Sequence, residues 1–340
     1  MKGWKLNNLK KLELLEVTEN ASISSSAKVK ITKSLITLSD VQRYLGETNS
    51  KNVILGSYGI GIVTETDANL LELEKGKHVY IEPSSACGEC YNCKNDNKKS
   101  CSTMQIAGED KNGFLCDFIT VETDKLYTLP ESVSDSDALF IGYLSNAIAI
   151  VDKLGVQKGD YVSIIGANTF GIILAQLLIY YQAVPIICTN SEEGFNDAKN
   201  SGIYYVLGFE DNWAKEVSTI TGGRLTNSAV YISDCNIPIA KAFSLVNFGG
   251  NVVFTGITSK SVNVSFTQAI KKGLVIHCVN SGFGYAESSI NLIANKAIDL
   301  SALNIKKTKY ENVPETFNQM SEILEKNGTF YESIVEMNIN

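Results

Sequence analysis

Four cysteines lie within fifteen residues and constrain the local chain more tightly than any other feature. They are Cys87, Cys90, Cys93 and Cys101. Two Cys-x-x-Cys steps bring three sulfurs around one point, and the loop to the fourth closes the set. Four thiolates suit tetrahedral Zn²⁺ at Zn–S distances of about 2.3 Å, and a closed set leaves no position for a substrate. We therefore predict one structural zinc; the alternative is two disulfides or free thiols in a loop.

Length and charge narrow the class of protein. At 340 residues the chain exceeds the usual size of one hydrophobic core, so two domains are expected. The net charge of −7 argues against a nucleic-acid surface, which needs clustered Lys and Arg. Charges interrupt residues 1–11, unlike a signal peptide, and no apolar stretch approaches the ~20 residues of a membrane span. We expect a cytoplasmic protein with no nucleic-acid or membrane partner.

The pattern of predicted secondary structure differs between the two halves of the sequence. Up to about residue 130, short β-like runs at 28–32, 59–64, 78–81 and 118–121 are separated by glycines. Such short runs, with no long helical periodicity between them, predict a small β-barrel-like fold.

From about residue 145, apolar strands alternate with helices. The predicted strands are 161–165, 184–188, 229–233 and 250–255. Near-continuous apolar strands separated by helices indicate a parallel sheet covered on both faces, which binds ligands at the carboxyl ends of its strands. The tail is predicted to be helical over 288–300 and 313–326, and to pack back onto the first half.

A glycine-framed loop follows the first strand of that sheet. Dinucleotide-binding folds place G-x-G-x-x-G there, so that backbone N–H groups face the pyrophosphate. Gly166 can make the tight turn and Gly171 can let helix and strand pack closely, whereas Asn168 stands where the middle glycine permits phosphate approach. At the end of the second strand, Thr189 offers a ribose hydrogen bond in place of the usual acidic residue. A sheet that keeps this architecture without binding a dinucleotide is the alternative.

The chain as a whole resembles the medium-chain zinc alcohol dehydrogenases. The resemblance is carried by 59–63, 76–79, the cysteine lobe, 113–118, 154–160 and 248–253. It implies an α/β protein with a GroES-like β-rich domain, residues 1–147 and 283–340, that holds the structural zinc. It also implies a Rossmann domain with a doubly wound parallel sheet, residues 148–282, that binds NAD or NADP.

The departures from that family concern its catalytic zinc. Family members place a Cys two residues before a Ser/Thr-Asp pair; here Ser39 and Asp40 are present, but Thr37 replaces the Cys. The family's Gly-His-Glu reads Gly56-Ser57-Tyr58, which removes the histidine ligand and the adjacent glutamate. The third ligand usually opens a Pro-Leu helix start, and that segment reads Ile141-Gly142-Tyr143-Leu144. The resemblance thus implies that all three catalytic ligand positions are replaced.

Histidine is also scarce. His78 and His277 are the two histidines of the chain, and both lie in strand-like apolar runs, where we expect no metal-binding role. Without a catalytic metal the usual mechanism loses its Lewis acid. Tyr58 or Tyr143 can donate a proton to an already polarised double bond or imine; the alternative is that they fill the space of the missing metal.

Two functions therefore remain open. One is an NAD(P)(H)-dependent oxidoreductase that works on a small-molecule substrate without catalytic zinc, reducing an activated carbonyl, C=C or imine. The other is a non-catalytic member that keeps the fold and structural zinc as a binding or partner protein. An ordinary zinc alcohol dehydrogenase conflicts with the replaced ligands. The resemblance also implies a homodimer or homotetramer formed through the cofactor domain.

Overall fold

The structure, a computed structural model, describes most of the chain in two units. The described residues are 1–17, 25–48, 52–66, 73–209, 212–232, 237–256, 264–326 and 330–337. The first unit comprises Met1–Gly142, Ala286–Ala294 and Ile305–Asn340, and the second comprises Tyr143–Tyr285 and Asn295–Asn304.

Strands dominate the amino-terminal part, whereas strands and helices alternate after it. The first elements are β1 (Lys2–Asn8), β2 (Lys11–Glu16), β3 (Ser26–Ile36), α1 (Leu38–Tyr44), β4 (Tyr58–Thr66), β5 (His78–Ile81), β6 (Ser84–Ser85), α2 (Tyr91–Lys94), β7 (Gln105–Ile106), β8 (Phe118–Glu122), β9 (Leu126–Thr128) and α3 (Asp135–Ala138). Then follow α4 (Ile141–Leu154), β10 (Tyr161–Ile165), α5 (Thr169–Tyr180), β11 (Val184–Cys188), α6 (Glu192–Asn200), β12 (Tyr205–Leu207), α7 (Trp213–Ile220), β13 (Thr226–Ile232), α8 (Ala240–Leu245), β14 (Val246–Thr255), α9 (Thr267–Lys272) and β15 (Val275–Val279). The tail holds α10 (Ala286–Ala294), β16 (Lys306–Lys309), α11 (Val313–Glu325) and β17 (Ser333–Glu336). The boundary expected at residue 147 falls inside α4.

The first unit is built on a seven-stranded sheet in the order β16-β17-β3-β4-β5-β9, with β8 also pairing with β3. The long strand β3 buries Val29 and Ile31 on one face, as the alternation of a half-covered strand requires. The tail helix α11 adds Phe317 to the same core, where its ring lies 5.3 Å from that of Tyr44.

The second unit contains a six-stranded sheet in the order β12-β11-β10-β13-β14-β15, in which every pair is parallel. Numbered from β10, this order is 3-2-1-4-5-6, the doubly wound arrangement typical of dinucleotide-binding sheets. Both faces are covered by helices, so strands such as β11 are almost wholly buried and apolar. The predicted fold class, a β-rich domain plus a doubly wound parallel sheet, is confirmed. Ligand binding in such a sheet is expected where the order reverses, at the carboxyl ends of β10 and β13.

Candidate functional site

The four predicted zinc ligands lie together at the start of α2. The sulfur of Cys87 lies 3.9 Å from that of Cys93 and 3.6 Å from that of Cys101, and the sulfurs of Cys90 and Cys101 are 3.9 Å apart. All four sulfurs are within 4.8 Å of one another. Ligands at about 2.3 Å from a tetrahedral zinc are separated by roughly 3.8 Å, whereas a disulfide requires about 2.05 Å. The donor set therefore fits a four-thiolate zinc and not a pair of disulfides.

Backbone and hydroxyl groups around the lobe favour the thiolate form of two ligands. The hydroxyl of Thr103 lowers the pKa of the Cys87 thiol. The N–H of Cys93 lowers the pKa of Cys90 to about 5. Burial raises the pKa of Cys93 itself to about 12, so this thiolate needs positive charge beside it, which a divalent cation supplies.

The loop between β10 and α5 has the form of a phosphate-binding turn. Gly166 adopts φ +117°, a conformation that favours glycine. A Cβ atom on Gly171 would lie 2.5 Å from the carbonyl oxygen of Gly166, so a glycine is also needed where the helix meets the turn. The structural roles predicted for both glycines are confirmed; their binding of pyrophosphate stays a prediction.

Asn168 has a role that the sequence argument missed. It is the N-cap of α5, and its Oδ1 accepts a hydrogen bond of 2.9 Å from the N–H of Gly171. An N-cap side chain satisfies one of the helix donors that have no intrahelical partner. A phosphate group would bind at this helix end, and Asn168 already occupies one of its N–H donors, that of Gly171.

The end of β11 also differs from the predicted ribose contact. Thr189 is only 2% exposed, and its Oγ1 accepts a hydrogen bond of 3.1 Å from the N–H of Ser191. The exposed side chains follow it: Asn190, and then Glu192 and Glu193 in the first turn of α6. A Cβ atom on the α6 residue Gly194 would come within 2.9 Å of the carbonyl oxygen of Ala167, so this turn abuts the phosphate loop. The sequence analysis gave these two carboxylates no role, although two acidic residues in succession are typical of the first turn of a helix.

A second polar cluster forms where the family's catalytic ligands were expected. Thr37 precedes α1, and its Oγ1 lies 3.3 Å from Oγ of Ser57 and 3.0 Å from Oγ of Ser39. Thr37 and Ser57 are 3% and 8% exposed. Two of the three positions where we predicted replaced metal ligands thus meet as a buried pair of hydroxyls.

Asp40 is the centre of this cluster. Its carboxylate is fully buried and accepts hydrogen bonds from the backbone N–H and the hydroxyl of Thr37, at 2.9 and 2.8 Å. It also accepts from the N–H of Gly56 at 3.1 Å and from the hydroxyl of Ser57. Arg43 Nη1 lies 3.8 Å from Asp40, and the same guanidinium pairs with Glu109. A buried carboxylate with this many donors has its charge satisfied without a metal.

Tyr58, predicted in place of the family's glutamate, lies against Gly142, which belongs to the segment predicted to lack the third ligand. A Cβ atom on Gly142 would be 2.0 Å from ring carbon Cε1 of Tyr58. Burial raises the pKa of the Tyr58 phenol well above its usual value. Tyr143 lies in the second unit, where its ring meets Phe170 edge-on at 6.1 Å.

Within the described residues, the cysteine lobe is the one group of three or more His, Cys, Asp or Glu side chains placed to hold a metal. The ring of His78 lies 2.9 Å from the carboxylate of Asp135. His277 lies 3.3 Å from the amide oxygen of Asn251.

Comparison with known proteins identifies relatives along most of the chain. Residues 24–131 match the alcohol dehydrogenase GroES-like domain. An uncharacterized zinc-type alcohol dehydrogenase-like protein of Haemophilus influenzae is 24% identical over 271 residues, 79% of each chain. A probable D-xylulose reductase A of Emericella nidulans is 26% identical over 278 residues, 79% of this chain and 77% of the relative.

Solved structures share the fold. A short chain alcohol dehydrogenase from E. coli CFT073, complexed with cofactor NADH, superposes on this chain with a TM-score of 0.86 at 20% identity, and the match covers 99% of both chains.

Among the helices that the structure describes, none combines the length and apolar character needed to cross a membrane.

Proposed function

Since the chain belongs to the medium-chain dehydrogenase/reductase superfamily and is zinc-type alcohol dehydrogenase-like, we propose that it is an NAD(P)(H)-dependent oxidoreductase with one structural zinc and no catalytic zinc. The pair Thr37–Ser57 carries the proposal. Two hydroxyls that both donate to Asp40, and whose oxygens lie 3.3 Å apart, stand at two of the three positions where the family places metal ligands. The proposed substrate is a small molecule whose carbonyl, C=C or imine is already activated.

The lobe of Cys87, Cys90, Cys93 and Cys101 would hold the structural zinc. Its sulfur separations match a tetrahedral thiolate site, and the set is complete without a water or substrate ligand. Bound there, the ion ties α2 to the chain on both sides and contributes folding free energy.

The crevice beyond β10 and β13 would hold the nicotinamide cofactor, which supplies or accepts the hydride. Gly166 and Gly171 give the turn that lets a pyrophosphate approach the start of α5. We propose NAD(H) rather than NADP(H), since Glu192 and Glu193 carry negative charge where a 2′-phosphate would lie and no Lys or Arg occurs in residues 189–198.

The hydroxyl cluster limits which substrates can react. Thr37 and Ser57 both donate to Asp40, so their protons are already committed to a carboxylate. Neither replaces a Lewis acid in drawing electrons from a carbonyl oxygen. The double bond that accepts the hydride must therefore already be polarised by other groups of the substrate. Tyr58 packs on Gly142 with a raised pKa, which favours a space-filling role over proton donation.

A non-catalytic binding protein is the second candidate function. Asn168 occupies a helix donor that a phosphate would use, and Thr189 is turned into its own loop. Both features weaken cofactor binding relative to a loop with glycine and an acidic residue at these places.

We further propose a homodimer formed along β15, or a homotetramer built from such dimers. This strand is an edge of the parallel sheet, and its apolar residues Val275 and Ile276 are 47% and 38% exposed. An exposed apolar edge strand pairs readily with a second copy. Sedimentation velocity tests this, with Ile276→Lys expected to yield monomers.

One experiment separates the two candidate functions. Calorimetric titration with NADH and NADPH measures cofactor binding, and a panel of enones, imines and simple alcohols measures turnover before and after mild chelation. An enzyme of the proposed type binds NADH, reduces activated acceptors and leaves alcohols untouched, all without chelator sensitivity. Chelator-sensitive alcohol oxidation contradicts the zinc-free proposal, and absence of cofactor binding favours the non-catalytic function.

A further inference from the structure

Two buried side-chain oxygens of the second unit, Oδ1 of Asn146 and Oγ of Ser201, have no hydrogen-bond partner among the described residues. The side chain of Asn146, in the second turn of α4, donates from Nδ2 to Oγ1 of Thr255 over 3.4 Å. Its Oδ1 is buried and meets no hydrogen-bond donor among the residues that the structure describes. Turning the amide over would leave Nδ2 as the unpaired end instead. A buried polar group without a partner costs about 1–3 kcal/mol, so its retention calls for an explanation.

The position of Asn146 in the fold explains why an unpaired acceptor is retained there. Thr255 is the last residue of β14, so the amide lies at the carboxyl edge of the sheet. Gly282, which follows β15, packs on the backbone of Asn146, since a Cβ atom there would lie 2.3 Å from the Asn146 nitrogen. Ligands of doubly wound sheets bind outside this edge.

The same helix face also reaches the phosphate loop. Tyr143 precedes Asn146 by three residues and therefore lies on the same side of α4. Its ring contacts Phe170, in the first turn of α5. The Asn146 amide thus stands at the edge shared by the phosphate loop and the ends of β14 and β15. In a dinucleotide fold the second half of the sheet, β13 to β15, takes the nicotinamide nucleotide.

We infer that Asn146 binds the carboxamide of the nicotinamide ring, with its Oδ1 accepting a hydrogen bond from the carboxamide NH₂. This inference rests on the proposed function and adds to it the residue that orients the reactive ring. A primary amide presents a donor and an acceptor side by side, which matches the two ends of an Asn side chain. Binding the cofactor therefore satisfies an acceptor that the described part of the protein leaves unpaired.

The test pairs a protein variant with a cofactor analogue. NADH and reduced 3-acetylpyridine adenine dinucleotide, in which a methyl group replaces the NH₂, are titrated by fluorescence against wild type and Asn146→Leu. The substitution should weaken NADH about five- to tenfold, as loss of one hydrogen bond predicts, and the analogue by no more than about twofold. Asn251→Leu, in the middle of β14 and four residues before Thr255, is the matched control and should leave both affinities unchanged.

Thermal unfolding of the cofactor-free protein provides a second readout. Because Asn146→Leu removes an unpaired buried acceptor, its Tm should equal or exceed that of wild type. A lower Tm with unchanged NADH affinity would show a structural amide and overturn the inference. Equal weakening of NADH and the analogue would also overturn it. Failure of wild type to bind either dinucleotide overturns the proposed function, and this inference with it.

Discussion

The ring of Tyr58 lies against Gly142 so closely that a Cβ atom on that glycine would stand 2.0 Å from ring carbon Cε1. The two residues are far apart in sequence, and both belong to segments in which we predicted a replaced metal ligand or its neighbour. The tyrosine ring therefore fills the space that a side chain at residue 142 would occupy.

Gly142→Ala should destabilise the protein by about 1–3 kcal/mol, because the added methyl group must displace a buried ring. Tyr58→Leu in the same chain removes the obstacle, so the double variant should recover part of the loss. Urea unfolding gives the free energies and the coupling between the two sites. Strict additivity would contradict the contact.

Tyr58→Phe should leave turnover of an activated acceptor within about twofold of wild type, since burial keeps this phenol protonated and a poor acid. Steady-state kinetics with NADH tests this, and Tyr58→Leu serves as the comparison that also removes the ring. A loss of about a hundredfold in the Phe variant would instead assign proton donation to the hydroxyl.

Protein purified without added metal should contain one zinc per chain. Cys93→Ser removes a buried ligand and should lose the metal together with thermal stability. Cys278→Ser, an exposed cysteine outside the lobe, is the control and should keep both. Elemental analysis and thermal unfolding measure the two effects. Two tightly held zinc ions per chain would refute the interpretation of Thr37, Ser57 and Gly142.

Glu82 makes stability depend on pH. The residue is 6% exposed, and burial raises its pKa to about 7 from 4.5. Between these values the folded protein binds more protons than the unfolded chain, so the stability that Glu82 contributes at low pH is lost as pH rises through this window. Glu82→Gln should therefore be more stable than wild type at pH 8, by about 2–4 kcal/mol, and similar to it near pH 4.5.

Urea unfolding at several pH values measures this difference, with the exposed Glu122→Gln as control. A constant difference between Glu82→Gln and wild type across the range would show that the carboxyl group does not titrate in the folded protein.

Asn168 should affect stability and cofactor binding in opposite directions. Asn168→Gly releases the N–H of Gly171 for a phosphate and should tighten NADH binding, while loss of the cap costs a few tenths of a kcal/mol. Asn168→Asp keeps the cap but places a negative charge beside the pyrophosphate, and should weaken binding. Calorimetry on the three proteins tests the order Gly, Asn, Asp. Identical affinities would mean that the phosphate binds away from this helix end.

Much of the fold follows from local pattern. The strands predicted at 161–165 and 184–188 match β10 and β11, because buried parallel strands carry their signal in neighbouring residues. The cysteine spacing likewise brought four sulfurs together, since short loops restrict where the ligands can lie. The hairpin of β1 and β2 had no such signal, because lysines interrupt its apolar alternation.

The details of the candidate sites depend on contacts that sequence spacing does not encode. The sequence indicated that Asn168 would obstruct a phosphate, but its side chain turns to cap its own helix. Thr189 stands at the expected strand end, yet its hydroxyl is buried in the following turn. Both outcomes depend on side-chain rotamers. The unpaired Oδ1 of Asn146 depends on the meeting of α4 with β14, which are distant in sequence.

The hydrogen bonds of Asp40 have a consequence for how this part of the first unit is held together. The carboxylate ties the start of α1 to Gly56 and Ser57, sixteen and seventeen residues away along the chain. The donors and the acceptor of this cross-link are all groups of the polypeptide itself. That cross-link is therefore complete as soon as the newly made chain folds.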